Sequence, residues 1–192
     1  MKNRHLGKQI INPPFLTSAG TITIQLPEPF DRRDFFVRNT KENAPVKISN
    51  VGADFTACFL GQTAERAEGA VPSGWSYRTS STNGATEVIL CYQTLSGFSL
   101  DRSIIAALGG ESKAETPLVV VAVLMQKQAN GERGVLLTNG YANIFYIRNT
   151  DGVLRAVYVL WGGDGWDVHA YSVEDPFGWG AGSQVFSRDS SV

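Results

Sequence analysis

The chain has 192 residues, 43% of them hydrophobic, with 17 Lys and Arg against 18 Asp and Glu and a formal net charge of -1. That supplies a core for one large β domain or two small ones without covalent staples. The balanced charge, with no long run of one sign, gives no reason to expect nucleic acid or an anionic membrane as a partner.

The opening Met1-Lys2-Asn3-Arg4-His5 leads into polar residues and prolines rather than an apolar segment. No stretch approaches the roughly 18 apolar residues of a spanning helix. Secretion and membrane insertion are therefore not expected, and a cytoplasmic or virion location is. Residues 1–20 read as an N-terminal arm and 21–192 as the β domain, either whole or as two β halves joined near 111–117.

The first expected strand is 21–26. The second, 35–39, carries a phrase that occurs twice: Phe35-Phe36-Val37-Arg38-Asn39-Thr40 and Phe145-Tyr146-Ile147-Arg148-Asn149-Thr150. Aromatic and β-branched residues suit a pleated surface, and each closing Asn-Thr can hydrogen-bond its own backbone in a bend. Each copy thus predicts a strand followed by a turn, and the pair raises the prospect of a duplicated unit.

Further strands are expected at 46–49, 55–60, 75–79, 87–93, 118–125, 135–138, 143–148, 153–161, 167–173 and 184–188. Cys58 and Cys91 lie in apolar runs and read as free, buried thiols. Without a CxxC pair, and with only His5 and His169 to help, they predict no zinc site. Helix is expected at 101–108, from Asp101 to the stop at Gly109-Gly110, and at 63–67.

Asn83-Gly84, Asn130-Gly131, Asn139-Gly140, Asp151-Gly152 and Asp164-Gly165 punctuate these runs. Such dipeptides accept the positive φ of tight hairpin turns. The expected fold class is therefore all-β: an antiparallel β-sandwich, jelly-roll-like or pseudo-duplicated, with one or two short helices.

Residues 143–173 read as a three-stranded antiparallel meander. Its middle strand reads as apolar on both faces, with Leu154, Ala156, Tyr158 and Leu160 on one and Val153, Arg155, Val157, Val159 and Trp161 on the other. A strand with one wet side should alternate more cleanly, so a further layer or another subunit is expected over the second face. The hairpin from Tyr146 to Trp166 resembles the strand-TDG-strand pattern of fucose-binding lectin propeller blades. A propeller requires several such repeats, so the likeness implies shared turn chemistry. Beyond it, Phe177 and Trp179 stand among alternating glycines, as a contact arm or a core-covering tail would.

Chemistry is sparse. His169 could serve a triad, but Asp167, two residues away on the same strand face, stands some 7 Å off by the strand rise. No G-x-S-x-G elbow or phosphate-binding glycine motif occurs, and the carboxylates at 151, 164, 167, 174 and 175 fit no EF-hand spacing. No catalytic residue, cofactor or metal is expected. The sequence points to a non-catalytic assembly protein, such as a phage capsid or tail component, that packs against copies of itself or other structural subunits. The alternative is a carbohydrate-binding, lectin-like module with glycans as partners, and the third reading is a β-sandwich hydrolase. Trp161, Tyr171, Phe177, Trp179, Asp167 and His169 are the interface or ligand candidates.

Overall fold

The computed structural model describes residues 15–27, 29–61 and 86–189. Their seven strands form a single open sheet in the order β1-β3-β7-β4-β5-β6-β2. They are β1 (Leu16–Leu26), β2 (Ile48–Val51), β3 (Thr86–Leu95), β4 (Asn143–Arg148), β5 (Leu154–Trp161), β6 (Trp166–Ser172) and β7 (Gln184–Arg188). The expected 75–79 strand, 63–67 helix and Asn83-Gly84 turn lie outside the described residues.

The mostly-β expectation holds, and the antiparallel sandwich does not. β4 pairs parallel with β7, and β2 parallel with β6, while the remaining neighbours are antiparallel. Among the described residues, helices rather than a second sheet cover both faces. Four runs expected as strands went elsewhere.

The largest departure is 118–125, which forms helix α5 (Leu118–Lys127) after an extended Pro117. Four valines in this run favour a strand by propensity. In a helix each costs at most about 0.7 kcal/mol relative to Ala, whereas burying one contributes about 1.5–3 kcal/mol. Every residue from Val120 to Met125 is buried, so burial decides, and a helix apolar on all sides is a core helix.

Residues 55–60 are likewise helical. Helix α2 (Ala53–Phe55) continues as a π-helical turn (Thr56–Leu60). Phe55 and Phe59 pack with ring centroids 5.0 Å apart, and Phe36 meets Phe55 at 4.9 Å. The first copy of the repeated phrase is no strand either. The Asp31 carboxylate accepts the Arg33 N–H at 2.8 Å and caps α1 (Arg32–Phe35), which ends inside the phrase.

What does recur is the bend. Asn39 Oδ1 accepts the Lys41 N–H at 3.3 Å, and Asn149 Oδ1 accepts the Asp151 N–H at 3.1 Å. The second copy is β4 with its turn, as expected, and Asp151-Gly152 and Asp164-Gly165 close the β4–β5 and β5–β6 hairpins. Asn130-Gly131 and Asn139-Gly140 instead bracket a loop. The strand expected at 135–138 is absent because side chains satisfy its backbone. Gln128 and Asn143 each bind it in both directions, at Leu136 and Leu137, and Gln184 donates to the Val135 carbonyl. Gly131 has φ +72°, and an added Cβ would lie 2.2 Å from the Trp161 ring.

Helix α3 (Asp101–Ala107) ends ahead of Gly109-Gly110, as expected, and the proposed join folds as α4 (Glu111–Ala114), packed on β4 and β7. One core cluster unites α5, Phe55 and Phe59 with Val157, Val159, Trp166 and Phe186. The other unites Ile104, Ile105 and Ala114 of α3 and α4 with Ile144, Tyr146, Leu154 and Ala156. On the second apolar face of β5, Leu154 and Ala156 are thus covered by this chain's own layer.

At the sheet centre the fully buried Phe186 stacks on Phe145 with centroids 4.4 Å apart. Phe186→Ala should lower unfolding stability by about 3–5 kcal/mol, the range for deleting a buried ring. Urea denaturation followed by tryptophan fluorescence checks this, and a loss under 1 kcal/mol would contradict the packing.

Candidate functional site

The α3–α4 cover stops short of the far end of β5 and β6, where aromatic and polar side chains gather. Antiparallel register sets Tyr158 opposite His169, Ala156 opposite Tyr171 and Leu160 opposite Asp167, all on one face. Tyr158 is the hub. Its ring stacks on His169 with centroids 5.0 Å apart, meets Tyr171 at 5.5 Å, and receives the edge of Trp179 at 5.1 Å. Its hydroxyl lies 3.4 Å from that of Tyr171. Burial pushes the Tyr158 phenol well above its ordinary pKa, and the Tyr171 hydroxyl adds to the shift.

Polar groups of β2 border this cluster. Ser49 Oγ donates to Asp167 at 2.5 Å, and the Asn50 amide nitrogen lies 3.3 Å from His169 Nε2. The described hydrogen bonds therefore tie Asp167 to serine and His169 to asparagine. They do not join His169 to Asp167 as a triad would need.

Trp179 reaches the cluster because its loop is latched to α3. Asp101, only 2% exposed at the first turn of α3, accepts the Trp179 indole N–H and the Tyr146 hydroxyl on the same oxygen, each at 2.7 Å. Ser99 and Trp179 exchange two backbone hydrogen bonds, 2.8 and 3.0 Å long. Burial raises the Asp101 pKa and nearby Asp175 raises it further, while the two donors pull it down; burial prevails. Tyr146, buried beside this acid, is held well above the ordinary phenol value by desolvation and then by the Asp101 charge.

The latch turns two large rings outward. Phe98 is 70% exposed and Phe177 is 78% exposed, and an added Cβ on Gly178 would meet the Phe98 ring at 2.4 Å. Only a glycine backbone lets the two segments approach that closely. Leu100 and Tyr171 are exposed as well. The result is an apolar rim around the half-buried Trp179.

Of the six residues singled out by sequence, Tyr171, Trp179, Asp167 and His169 come together and Phe177 stands at the rim. Trp161 does not join them. It points to the opposite face, against Gly131 and with its centroid 5.4 Å from that of Trp166. Sequence reasoning missed Tyr158, Asp101, Tyr146 and Phe98. An aspartate within the apolar run from Phe98 to Leu108 was a usable hint of a buried acid, but nothing local linked it to residues 45 and 78 positions away.

Both cysteines are free and half-buried, and no group of His, Cys, Asp and Glu able to hold a metal occurs among the described residues. No helix among them is long and apolar enough to cross a membrane. The chain matches no protein-family model, and no curated protein or solved structure is significantly similar to it.

Because folding raises the Asp101 pKa, the group contributes most to stability below the ordinary carboxylate value, and that contribution is lost as pH rises through the shifted one. Asp101→Asn keeps an acceptor oxygen for both donors but removes the titration. The stability of wild type relative to Asp101→Asn should therefore fall as pH rises from about 3 to 7. Urea unfolding across that range checks the sign, and a difference that grows with pH would contradict it.

Proposed function

We propose that this protein is a non-catalytic assembly subunit that docks onto neighbouring copies of itself through the apolar rim of its C-terminal meander. The observation that carries the reading is the outward display of Phe98 and Phe177 on a rigidly latched loop. Isolated exposed apolar residues are ordinary, but two large rings in adjacent segments, flanked by Leu100 and Tyr171, form a patch of the kind that marks contact sites.

Magnitudes set the size of the contact. Each ring leaving water contributes about 2–4 kcal/mol gross, whereas association costs about 4–15 kcal/mol. Two rings alone do not suffice. A stable contact must spread over Leu100, Tyr171 and the adjoining loop and bury more than about 1,000 Å² in total. The narrower form of the proposal places the subunit in a virion shell or tail, where many weak contacts between copies add together.

A carbohydrate-binding role is the second reading, favoured by Tyr171, which offers a partly open ring on the strand face that also carries His169 and Asp167. It is the weaker reading because Trp161 lies on the other face and the Trp179 indole N–H is taken by Asp101. A glycan array without signal, together with unchanged tryptophan fluorescence on sugar titration, would remove it.

Light scattering at micromolar to millimolar concentrations should show an oligomer. The Phe98→Ser/Phe177→Ser double variant should shift it to monomer at least tenfold more readily while retaining the wild-type melting temperature, since neither ring is in a core cluster. A wild-type monomer throughout that range would defeat the proposal.

A further inference from the structure

We infer that the groove at the first copy of the repeated phrase binds a small organic anion with an apolar body. It shares no residue with the aromatic rim and so stands independently of the assembly reading. The cavity has a volume of about 570 Å³, within the roughly 300–1,000 Å³ of small-molecule sites. Phe35, Val37, Pro45 and Val46 make the apolar part of its lining, with Val46 buried, Phe35 half-buried and Val37 52% exposed, and Asn39 and Gln126 add neutral polar groups.

Charge supplies the class of ligand. Arg38 and Lys41 both line the groove, and neither pairs with a carboxylate among the described residues. The contrast with the second copy is direct. Arg148, in the same place in its phrase, donates to Glu111 at 2.7 Å, to Glu115 at 3.1 Å and to the Gly152 carbonyl at 2.8 Å. Among the described residues Arg38 has no such partners, which leaves its guanidinium, a group that favours planar two-pronged contact with carboxylates, to a ligand. Asp34 also lines the groove and leaves a net positive balance of one.

The backbone that carries the two cations is fixed before any ligand arrives. Asn39 and Ile48 exchange two backbone hydrogen bonds of 2.8 and 3.0 Å, and Asn39 Oδ1 fixes the turn at the Lys41 N–H. This bend keeps Arg38 and Lys41 at one mouth of the groove and limits the ordering cost of binding. An aromatic or aliphatic carboxylate fits the arrangement, its body against Val46 and Phe35 and its carboxylate at Arg38.

The test uses 1-naphthoate and its neutral counterpart 1-naphthalenemethanol, titrated into the full chain by calorimetry and followed by amide chemical shifts. Naphthoate should bind saturably, shift residues 34–46, and bind roughly tenfold or more tightly than the alcohol. Arg38→Gln/Lys41→Gln should abolish that preference, and Phe177→Ser should leave it unchanged. Val37→Glu, at an exposed position, should repel naphthoate and gives a second reading if the double variant folds poorly. Equal binding of acid and alcohol, indifference to the groove variants, or no saturable binding at millimolar ligand would each overturn the inference.

Discussion

Strand β5 buries Val157 and Val159 toward the α5 side and Leu154 and Ala156 toward α3 and α4. A strand apolar on both faces obliges the chain to supply two covers, and most of the remaining structure answers that demand. On one side α5, Phe55 and Phe59 form an all-apolar slab. On the other the cover is thinner, made of two short helices and a glycine-rich loop, and its completion depends on one buried acid. Asp101 joins the α3 start to Tyr146 of the sheet and to Trp179 of the loop.

That economy has a functional consequence. A helix as long as α5 over the second face would have buried the end of β5 and β6. The short α3 and α4 leave Tyr158, His169 and Tyr171 to be covered only in part, by Trp179. The latched loop then carries Phe177 outward beside Phe98. A rigid backbone matters here, since ordering a mobile arm on binding would consume much of what two phenylalanine rings contribute. Asp101 thus acts on the rim without being exposed in it.

The meander was legible because its apolar, β-branched and aromatic runs are separated by turns that carry Asp-Gly at the right spacing. β1, β3 and β7 were legible for similar reasons, although β1 starts at Leu16, within the stretch assigned to an arm. Helix α3 was legible from its Gly109-Gly110 stop, but α5 and the 55–60 turns were not, because propensity and environment disagreed. Val120 to Met125 look like a strand until one knows that every side of the segment is buried. Local signs pointed the other way: Pro117 suits a helix start, and Phe55 and Phe59 stand four residues apart. The repeated phrase taught a narrower lesson. Its shared property is the Asn bend, while capping by Asp31 turns one copy into a helix end and sheet pairing makes the other a strand. The candidate site was half legible. Aromatic richness pointed to the correct end of the chain, but the meeting of residues 101, 146 and 179 is a property of the sheet order, which no local pattern encodes.

The proposed contact requires the latched loop to present Phe98 and Phe177 to a neighbouring copy. Amide hydrogen exchange at low and high protein concentration reads that claim residue by residue. Residues 96–100 and 175–182 should gain protection as concentration rises, with the core strands unchanged. The Trp179 amide should already be protected in the dilute protein, through its bond to the Ser99 carbonyl. Exchange that stays the same in both segments, or protection gained only elsewhere on the surface, would contradict it.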